Sequence, residues 1–369
     1  METPFEKLVP QSEGQKRLKQ ALESKDYEII GIFGLTGTGK SLFAITYGVS
    51  AVMKGEYDRF IIARPIVDIA TSEVMTTAEL KELYFKLASE YLEDILPREV
   101  YKEIKKLIEE EKVVISDPYY IRGRTFDNSI IFLDDAQNVP PEVSTEILMR
   151  LGTNSRLIIA GDPVLQKPLS VEKDGATLMR EILLNEEKAI VVDLGLNDIT
   201  RPGARRGIKI AFELKMRKRP LNEEERKVLE SINVHAPDAD VVTVVYAKDL
   251  KEKYELPEYT PDVLIIAKEG HQGRVVGKGG ERITKVEQET GYRIKVVEWR
   301  LNFEEIISAI HPVQDIGDYI KEVDFRGPEL VVFMRRRLGS FIGPKGSFIR
   351  YVDGVMRRLI GVGVRGLME

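Results

Sequence analysis

The chain of 369 residues has no cysteine, three histidines and one tryptophan. Without cysteine there is neither a disulfide framework nor a thiolate metal site. The histidines, His235, His271 and His311, are too scattered to form a metal cluster, and each reads as an ordinary core or surface residue. No apolar run approaches the roughly 18–20 residues that a membrane span needs. The first thirty residues, rich in Glu, Lys and Gln, contain no apolar signal core. The expectation is a cytoplasmic protein with no membrane partner. A general excess of positive charge is also lacking: the formal net charge is −5, which argues against an indiscriminate polyanion binder.

What is present is a folded chain. Hydrophobic residues make up 43% of the sequence, and the length fits about two or three domains. The net charge hides an asymmetry. Residues 326–369 carry nine basic and three acidic side chains, a balance of +6 that leaves −11 for the remainder. A basic module on an acidic body is where phosphate-rich partners belong.

The first half alternates short β-rich runs, "YEIIGIFG", "RFIIARP", "KVVIS", "SIIFLDD", "SRLIIAGD" and "AIVVDLG", with helical or loop segments. That pattern predicts an α/β fold with a mostly parallel sheet covered on both faces. Residues 70–112 have a helical period and high charge, which predicts inserted helices. From about Arg217 a polar, proline-bearing stretch reads as a connector with a short helix opening at "NEEER". Two similar units follow, each a strand, a G-x-x-G loop and a helix, centred on Gly277–Gly280 and Gly343–Gly346. The expected divisions are 1–216 for the α/β domain, 217–260 for a connector that is in part a piece of the next domain, and 261–301 and 302–369 for the two later units.

"GLTGTGKS", Gly34 to Ser41, satisfies G-x-x-x-x-G-K-S/T and lies between an apolar strand and an apolar helix. Such a loop curls its N–H groups around phosphate oxygens. Gly34, Thr36, Gly37, Thr38 and Gly39 are therefore the nucleotide-cradling candidates, Lys40 the charge on the terminal phosphates and Ser41 a ligand of Mg²⁺. "SIIFLDDAQN" supplies Asp134 at a strand end to hold Mg²⁺ through water, and Asp135 where a base orienting the attacking water belongs. No N-K-x-D guanine signature occurs, so ATP is favoured over GTP. "IIAGDPVLQ" places Gly161, Asp162 and Gln166 after a further strand, as a sensor of the terminal phosphate or as an ordinary turn. Arg64, Arg122, Arg124 and Arg201 fall near strand ends or in loops. A phosphate, an RNA backbone and a surface carboxylate are all open as their partners.

Taken together, "GLTGTGKS", "ARP", "IRGRTFDNSIIFLDDAQN", "RLGTNSRLIIAGDPVLQ" and "NDITR" resemble the ordered motifs of the PhoH family over roughly residues 11–212. The resemblance implies a RecA-like P-loop sheet similar to the first motor domain of superfamily 1 helicases, and ATP hydrolysis. It implies further that Gln15 contacts adenine, that Gln166 links the γ-phosphate to movement, and that copies assemble into hexameric rings. In such a ring an arginine of a neighbour, at a position left open, can complete the site; Arg201 in "NDITR" is a catalytic candidate in its own right. The chain departs from the family pattern in three places. Asp134-Asp135 replaces Asp-Glu, G-D-P-V-L-Q is one residue longer than G-D-P-x-Q, and "DIATSEVMTTAELKELYFKL" replaces a glycine-rich segment after R-P.

The later loops do not precede G-K-S/T and so cannot build a second P-loop. "RVVGKGGERI" fits V-x-G-x-x-G-x-x-I, the core of a KH domain, in which loop backbone lets a single strand of RNA approach closely. Gly277, Lys278, Gly279 and Gly280 form the first loop; Gly343, Pro344, Lys345 and Gly346 form the second, beside Arg335, Arg336 and Arg337 on an expected strand. The order of elements is similar to the tandem KH pair of the NusA transcription-factor family, which implies the type II arrangement. Pro344 fixes φ and lacks an N–H, so the second loop is expected to grip RNA through Lys345 and the arginines more than through backbone. Three functions follow from these features. One is an RNA-dependent ATPase, helicase or RNA-remodelling factor acting on single-stranded RNA. The second is a slow nucleotide-switched RNA scaffold that recruits a nuclease or a ribosome-associated protein, and the third a P-loop small-molecule kinase.

Overall fold

In the computed structural model the described residues are 2–68, 73–121, 125–166 and 174–369. Contacts divide the chain into two compact units, residues 1–205 with 325–327, and residues 206–324 with 328–369.

The first unit is built on six strands: β1 (Ile29–Gly34), β2 (Arg59–Ala63), β5 (Val113–Ser116), β6 (Ser129–Leu133), β7 (Arg156–Gly161) and β8 (Ala189–Leu194). A small antiparallel hairpin, β3 (Ile66–Val67) with β4 (Val74–Met75), follows β2. The sheet order is β5-β2-β6-β7-β1-β8 and every pairing in it is parallel. β1, β6 and β7 are buried along their whole length, as continuous aliphatic runs require when both faces of a sheet are covered. Alternate residues serve alternate faces. Ile30, Ile32, Ile62, Phe132 and Ile158 pack with Phe43 and Ile45 of the Lys40–Met53 helix, whereas Phe33, Ile61, Ile131, Leu133 and Ile159 pack with Met179 and Leu183 of the Gly175–Leu183 helix. This is the RecA-like P-loop architecture, and it brings the ends of β1, β2, β6 and β7 to one edge of the sheet.

The inserted stretch forms helices Thr77–Leu80, Glu82–Ile95 and Arg98–Glu109. Leu92, Leu96, Val100, Ile104 and Leu107 recur at near-helical spacing and join the core cluster of β1 and β2. The insertion is therefore part of the first unit's core.

The second unit contains two small α+β sheets of the KH type. The first comprises helix Glu223–His235, β9 (Val241–Tyr246), β10 (Val263–Ala267), short helix Gln272–Val276, helix Glu281–Thr290 and β11 (Ile294–Glu298), with sheet order β11-β10-β9. β10 pairs antiparallel with β9 and parallel with β11. The other repeats the order: helix Phe303–Ile310, β12 (Ile320–Arg326), β13 (Glu329–Met334), short helix Leu338–Ile342, helix Ser347–Ile360 and β14 (Gly363–Met368), with β13 and β14 parallel. The polar stretch read as a connector thus contributes a helix and β9. Its Asn222 caps the helix by accepting from Glu225 N–H at 2.9 Å. The boundary between units falls inside helix Pro202–Lys218; the sequence-based boundary at 216 lies further along the same helix. Phe212 of that helix meets Trp299 and Phe303 edge-on, with ring centroids 6.2 and 5.5 Å apart. Helix Ser347–Ile360 binds the two sheets of this unit together. Tyr351 Oη donates to Pro261 O at 2.6 Å, and Arg358 makes a bidentate pair with Asp249 at 2.6 Å.

Candidate nucleotide site and nucleic-acid interface

A cleft of about 420 Å³ opens at the carboxyl edge of the large sheet, lined by Gln15, Thr36, Gly37, Gly39, Lys40, Ser41, Arg64, Tyr91, Asp135, Gln166 and Arg201, among others. Gly37 and Gly39 have φ of 82° and 93°, the left-handed conformations that let the loop curl. Lys40 Nζ donates to the carbonyls of Gly34 and Leu35 at 2.8 and 2.9 Å. Burial pulls the Lys40 ammonium pKa down, and the charges of Asp162, Asp135 and Asp134 work against that shift. Thr38 is wholly buried and its hydroxyl donates to Leu35 O at 2.8 Å, so its side chain braces the loop.

Ser41 Oγ donates to Asp134 Oδ1 at 3.0 Å. Asp135 adopts φ 51° and ψ 45°, a left-handed turn at the end of β6. Its Oδ1 accepts from Gln137 Nε2 at 3.2 Å and its Oδ2 pairs with Arg64 Nη2 at 2.5 Å. Burial and the adjacent Asp134 push the Asp135 carboxyl up, against the pull of Arg64. Gln137 is a hub that sequence reading left without a role. Its Nε2 also donates to Gln166 Oε1 at 3.0 Å, and its Oε1 accepts from Asp162 N–H at 2.9 Å. Gln166 therefore reaches Asp135 through one intervening amide.

Asp162 is buried and does not line the cleft. Its Oδ2 accepts from Thr36 N–H at 3.1 Å and its Oδ1 from Val164 and Leu165 N–H at 2.9 and 3.0 Å, so it holds the P-loop backbone. Gln15 lines the cleft, but its amide is engaged on both sides: Nε2 donates to Thr38 O at 3.0 Å and Oε1 accepts from Gln11 N–H at 2.8 Å. Asp198, also without a role in the sequence reading, anchors this segment by accepting from Ser12 Oγ at 2.6 Å and Gly14 N–H at 3.0 Å. A Cβ on Gly14 would stand 2.3 Å from Asp198 Oδ1, which explains the glycine. Arg201 lies exposed at the cleft rim beside Thr200. Arg122 and Arg124 lie outside the described residues.

In the second unit the two G-x-x-G loops have nearly the same backbone. Gly277 and Gly343 have φ/ψ of 77°/172° and 74°/173°, Gly279 and Lys345 have 63°/16° and 51°/23°, and Gly280 and Gly346 have 85°/7° and 77°/18°. The first glycine of each loop is needed twice over. Its φ is positive, and a Cβ there would lie 2.9 Å from Arg282 N in one loop and 2.4 Å from the Phe348 ring in the other. Pro344 leaves the loop conformation unchanged: it sits at the loop's second position, and the residues on either side of it have nearly the same dihedrals as their counterparts in the first loop. Lys278 and Lys345 are exposed. Helices Glu281–Thr290 and Ser347–Ile360 begin directly after the loops with no side-chain cap, which leaves their first N–H groups available to an anion. Arg335–Arg337 do not lie on a strand: β13 ends at Met334, and Arg337 turns into the left-handed region at φ 60°. All three are exposed, and the guanidiniums of Arg336 and Arg337 lie 4.8 and 4.3 Å from the Tyr319 ring centroid.

His311 supports the second loop from below. Its ring stacks on Phe341 at 5.1 Å, its Nδ1 accepts from Val313 N–H and its Nε2 donates to Phe341 O, each at 3.0 Å. Burial lowers its pKa, so the unfolded chain binds a proton that the folded one refuses. The stabilising contribution is complete above the unfolded value of about 6.5 and is lost as pH falls below it. Hydrogen exchange of residues 338–346 at pH 7.5 and 5.5 tests this. Protection should fall at the lower pH in wild type and change less in His311→Gln, which gains no proton.

A family model described as PhoH-like protein matches residues 7–213, and a KH domain model matches residues 240–305. The PhoH-like protein of Bacillus subtilis (strain 168) is 31% identical over 192 residues, covering 51% of this chain and 58% of the relative. Protein PhoH of Escherichia coli (strain K12) is 30% identical over 161 residues, 42% of this chain and 44% of the relative. Among solved structures, Pif1 helicase from Candida albicans aligns with 70% of this chain and 64% of its own, at 15% identity and a TM-score of 0.28. The chain spans about half the length of the curated relatives it matches. Since the first family match takes in more than half of the 369 residues and contains the P-loop, Asp134 and the strands between them, the protein belongs to the PhoH-like family.

Proposed function

We propose that this protein hydrolyses ATP and binds single-stranded RNA through a tandem KH pair arranged as in NusA, with RNA accelerating turnover. The observation that carries the reading is the presence in one chain of a P-loop site and of two G-x-x-G loops with matching backbone dihedrals. Ser41 Oγ and Asp134 are hard oxygen donors that suit Mg²⁺, which retains waters and takes its other ligands from phosphate. Among the described residues no cluster of three or more His, Cys, Asp or Glu could hold a metal alone, as fits an ion that arrives with its nucleotide. Bound there, Mg²⁺ supplies neutralisation of charge on the phosphates.

The remaining work falls to the chain. The loop N–H groups cradle phosphate oxygens, Lys40 exchanges its carbonyl partners for the terminal phosphates, and Arg201 at the rim adds positive charge. Asp135 orients the attacking water, with Gln137 relaying between it and Gln166. Lys278, Lys345 and Arg335–Arg337 meet RNA phosphates, which supply most sequence-independent affinity.

A second reading is favoured by Asp135 itself. Both its oxygens are engaged, by Gln137 and Arg64, which suits slow hydrolysis and a nucleotide-switched RNA scaffold. ATP turnover of the full chain with and without single-stranded RNA at fixed salt separates the two. Stimulation of several-fold is expected. RNA binding with unchanged turnover supports the scaffold, and absence of RNA binding overturns both.

A further inference from the structure

Asp134 is surrounded by donors. Its Oδ1 accepts from Ser41 Oγ and from Asp135 N–H, both at 3.0 Å. Its Oδ2 accepts from Arg64 Nη1 at 2.7 Å and from Tyr91 Oη at 2.6 Å. A carboxylate offers about four lone-pair sites. The acceptor capacity of Asp134 is therefore fully used, and half of it is used by Arg64 and Tyr91.

Arg64 is held for this task. Its second nitrogen reaches Asp135, and its guanidinium lies 3.5 Å from the centroid of the Tyr91 ring. Helix Glu82–Ile95 grips the residue twice, through Tyr91 at the side chain and through Tyr84, whose hydroxyl donates to Arg64 O at 2.7 Å. The Asp134 side chain is 2% exposed and that of Arg64 22%, so the attraction between them is little screened by water. Burial works against the guanidinium charge, but Asp134 and Asp135 outweigh it and keep Arg64 firmly protonated. A divalent cation at Ser41 and Asp134 would bring a second positive charge to the carboxylate that the guanidinium neutralises. Two cations on one buried carboxylate repel each other.

We propose that Arg64 and Tyr91 form a latch on Asp134 that competes with the divalent cation. Arg64 is a positioning residue that keeps Asp134 and Asp135 aligned and yields Asp134 Oδ2 when the cation binds. The inference rests on the ATPase reading for its purpose, but its test does not need turnover. Mn²⁺ binding to the full chain without nucleotide is titrated by electron paramagnetic resonance. Losing a hydrogen bond to a charged group leads us to expect Mn²⁺ to bind about tenfold more tightly to Arg64→Gln and about threefold more tightly to Tyr91→Phe. Arg64→Lys, which keeps a charge but cannot bridge both carboxylates, should fall between wild type and Arg64→Gln. At saturating Mg²⁺ the same Arg64 variants should lose kcat, so that metal affinity and turnover move in opposite directions.

Weaker or unchanged Mn²⁺ binding in Arg64→Gln overturns the latch, and so does a gain confined to Arg64→Gln with Tyr91→Phe at wild-type affinity, which would mean only that a nearby positive charge was lost. Should Arg64→Gln fail to fold, Tyr91→Phe decides, since it removes only a hydroxyl. Tighter Mn²⁺ binding in a protein that never hydrolyses ATP would uphold the latch and defeat the ATPase reading. Normal turnover with unaltered Mn²⁺ affinity would do the reverse.

Discussion

Replacing Lys40 by alanine should abolish ATP turnover, lowering kcat by about two to three orders of magnitude, the cost of removing one preorganised charge at a transferring group. Lys40 is 8% exposed and stands at the first position of a helix, where its ammonium can leave the carbonyls of Gly34 and Leu35 for a phosphate without moving the backbone. The two other cations that line the cleft among the described residues stand elsewhere: Arg64 pairs with Asp134 and Asp135, and Arg201 lies at the exposed rim, so neither takes the place of an ammonium inside the loop. The fold should survive, because Leu35 O retains the Thr38 hydroxyl and Phe43, Ile45 and Val49 continue to anchor the helix. We expect a stability loss of about 1–3 kcal/mol from the carbonyl left without its donor. RNA affinity, which we assign to loops around Gly277 and Gly343, should change less than twofold. Steady-state hydrolysis, fluorescence anisotropy with a labelled oligonucleotide and a thermal melt measure the three quantities. Loss of RNA binding in the folded variant would sink the division of labour proposed above.

The parts of this site that sequence displays and the parts it conceals differ for physical reasons. The P-loop is legible because its chemistry is local: eight consecutive residues make the turn, and the apolar runs on either side identify strand and helix. Asp134 is legible because a parallel strand must end at the ligand edge. Arg64 was visible as a strand-end arginine, but with three classes of partner open. What decides its partner is that β2 lies beside β6, with Ala63 opposite Leu133, and no local pattern reveals that two strands so far apart in sequence are neighbours. Tyr91 is harder still. Periodicity places it on a helix, but whether its hydroxyl points to water or to Asp134 depends on how the insertion docks, and Leu92, Val100 and Ile104 settle that only in three dimensions. The arginine run failed in the opposite direction. Its position after "ELVVFM" reads as continued strand, yet Arg337 turns left-handed to start the next helix and carries the cluster off the sheet. Residues 217–260 read as a connector, in part a piece of the next domain, because their opening stretch is polar and proline-bearing. The buried side of its helix, Val228 and Ile232, is narrow but sufficient to cover one small sheet.

Gly279→Asp is expected to weaken RNA binding by tenfold or more, roughly, at low salt, while leaving the fold and Lys40-dependent hydrolysis without RNA intact. Gly279 has φ 63°, which penalises most side chains by about 1–2 kcal/mol but aspartate less than others. A Cβ built there meets no atom within 4 Å, so the added group projects into open space. The second loop shows that a side chain can occupy this conformation, since Lys345 holds the equivalent place at φ 51°. The damage should thus be electrostatic: a carboxylate at the loop tip beside Lys278, where phosphates approach. Gly279→Lys is the discriminating control. It carries the same backbone penalty and copies Lys345, so it should bind RNA at least as well as wild type, and the gap between the two variants should narrow as salt rises. Equal losses in both variants would mean that bare backbone, not charge, makes the contact. If the folded aspartate variant bound RNA like wild type, the first loop would not be an RNA contact, and the proposal that RNA binds through both loops of the tandem pair would fail with it.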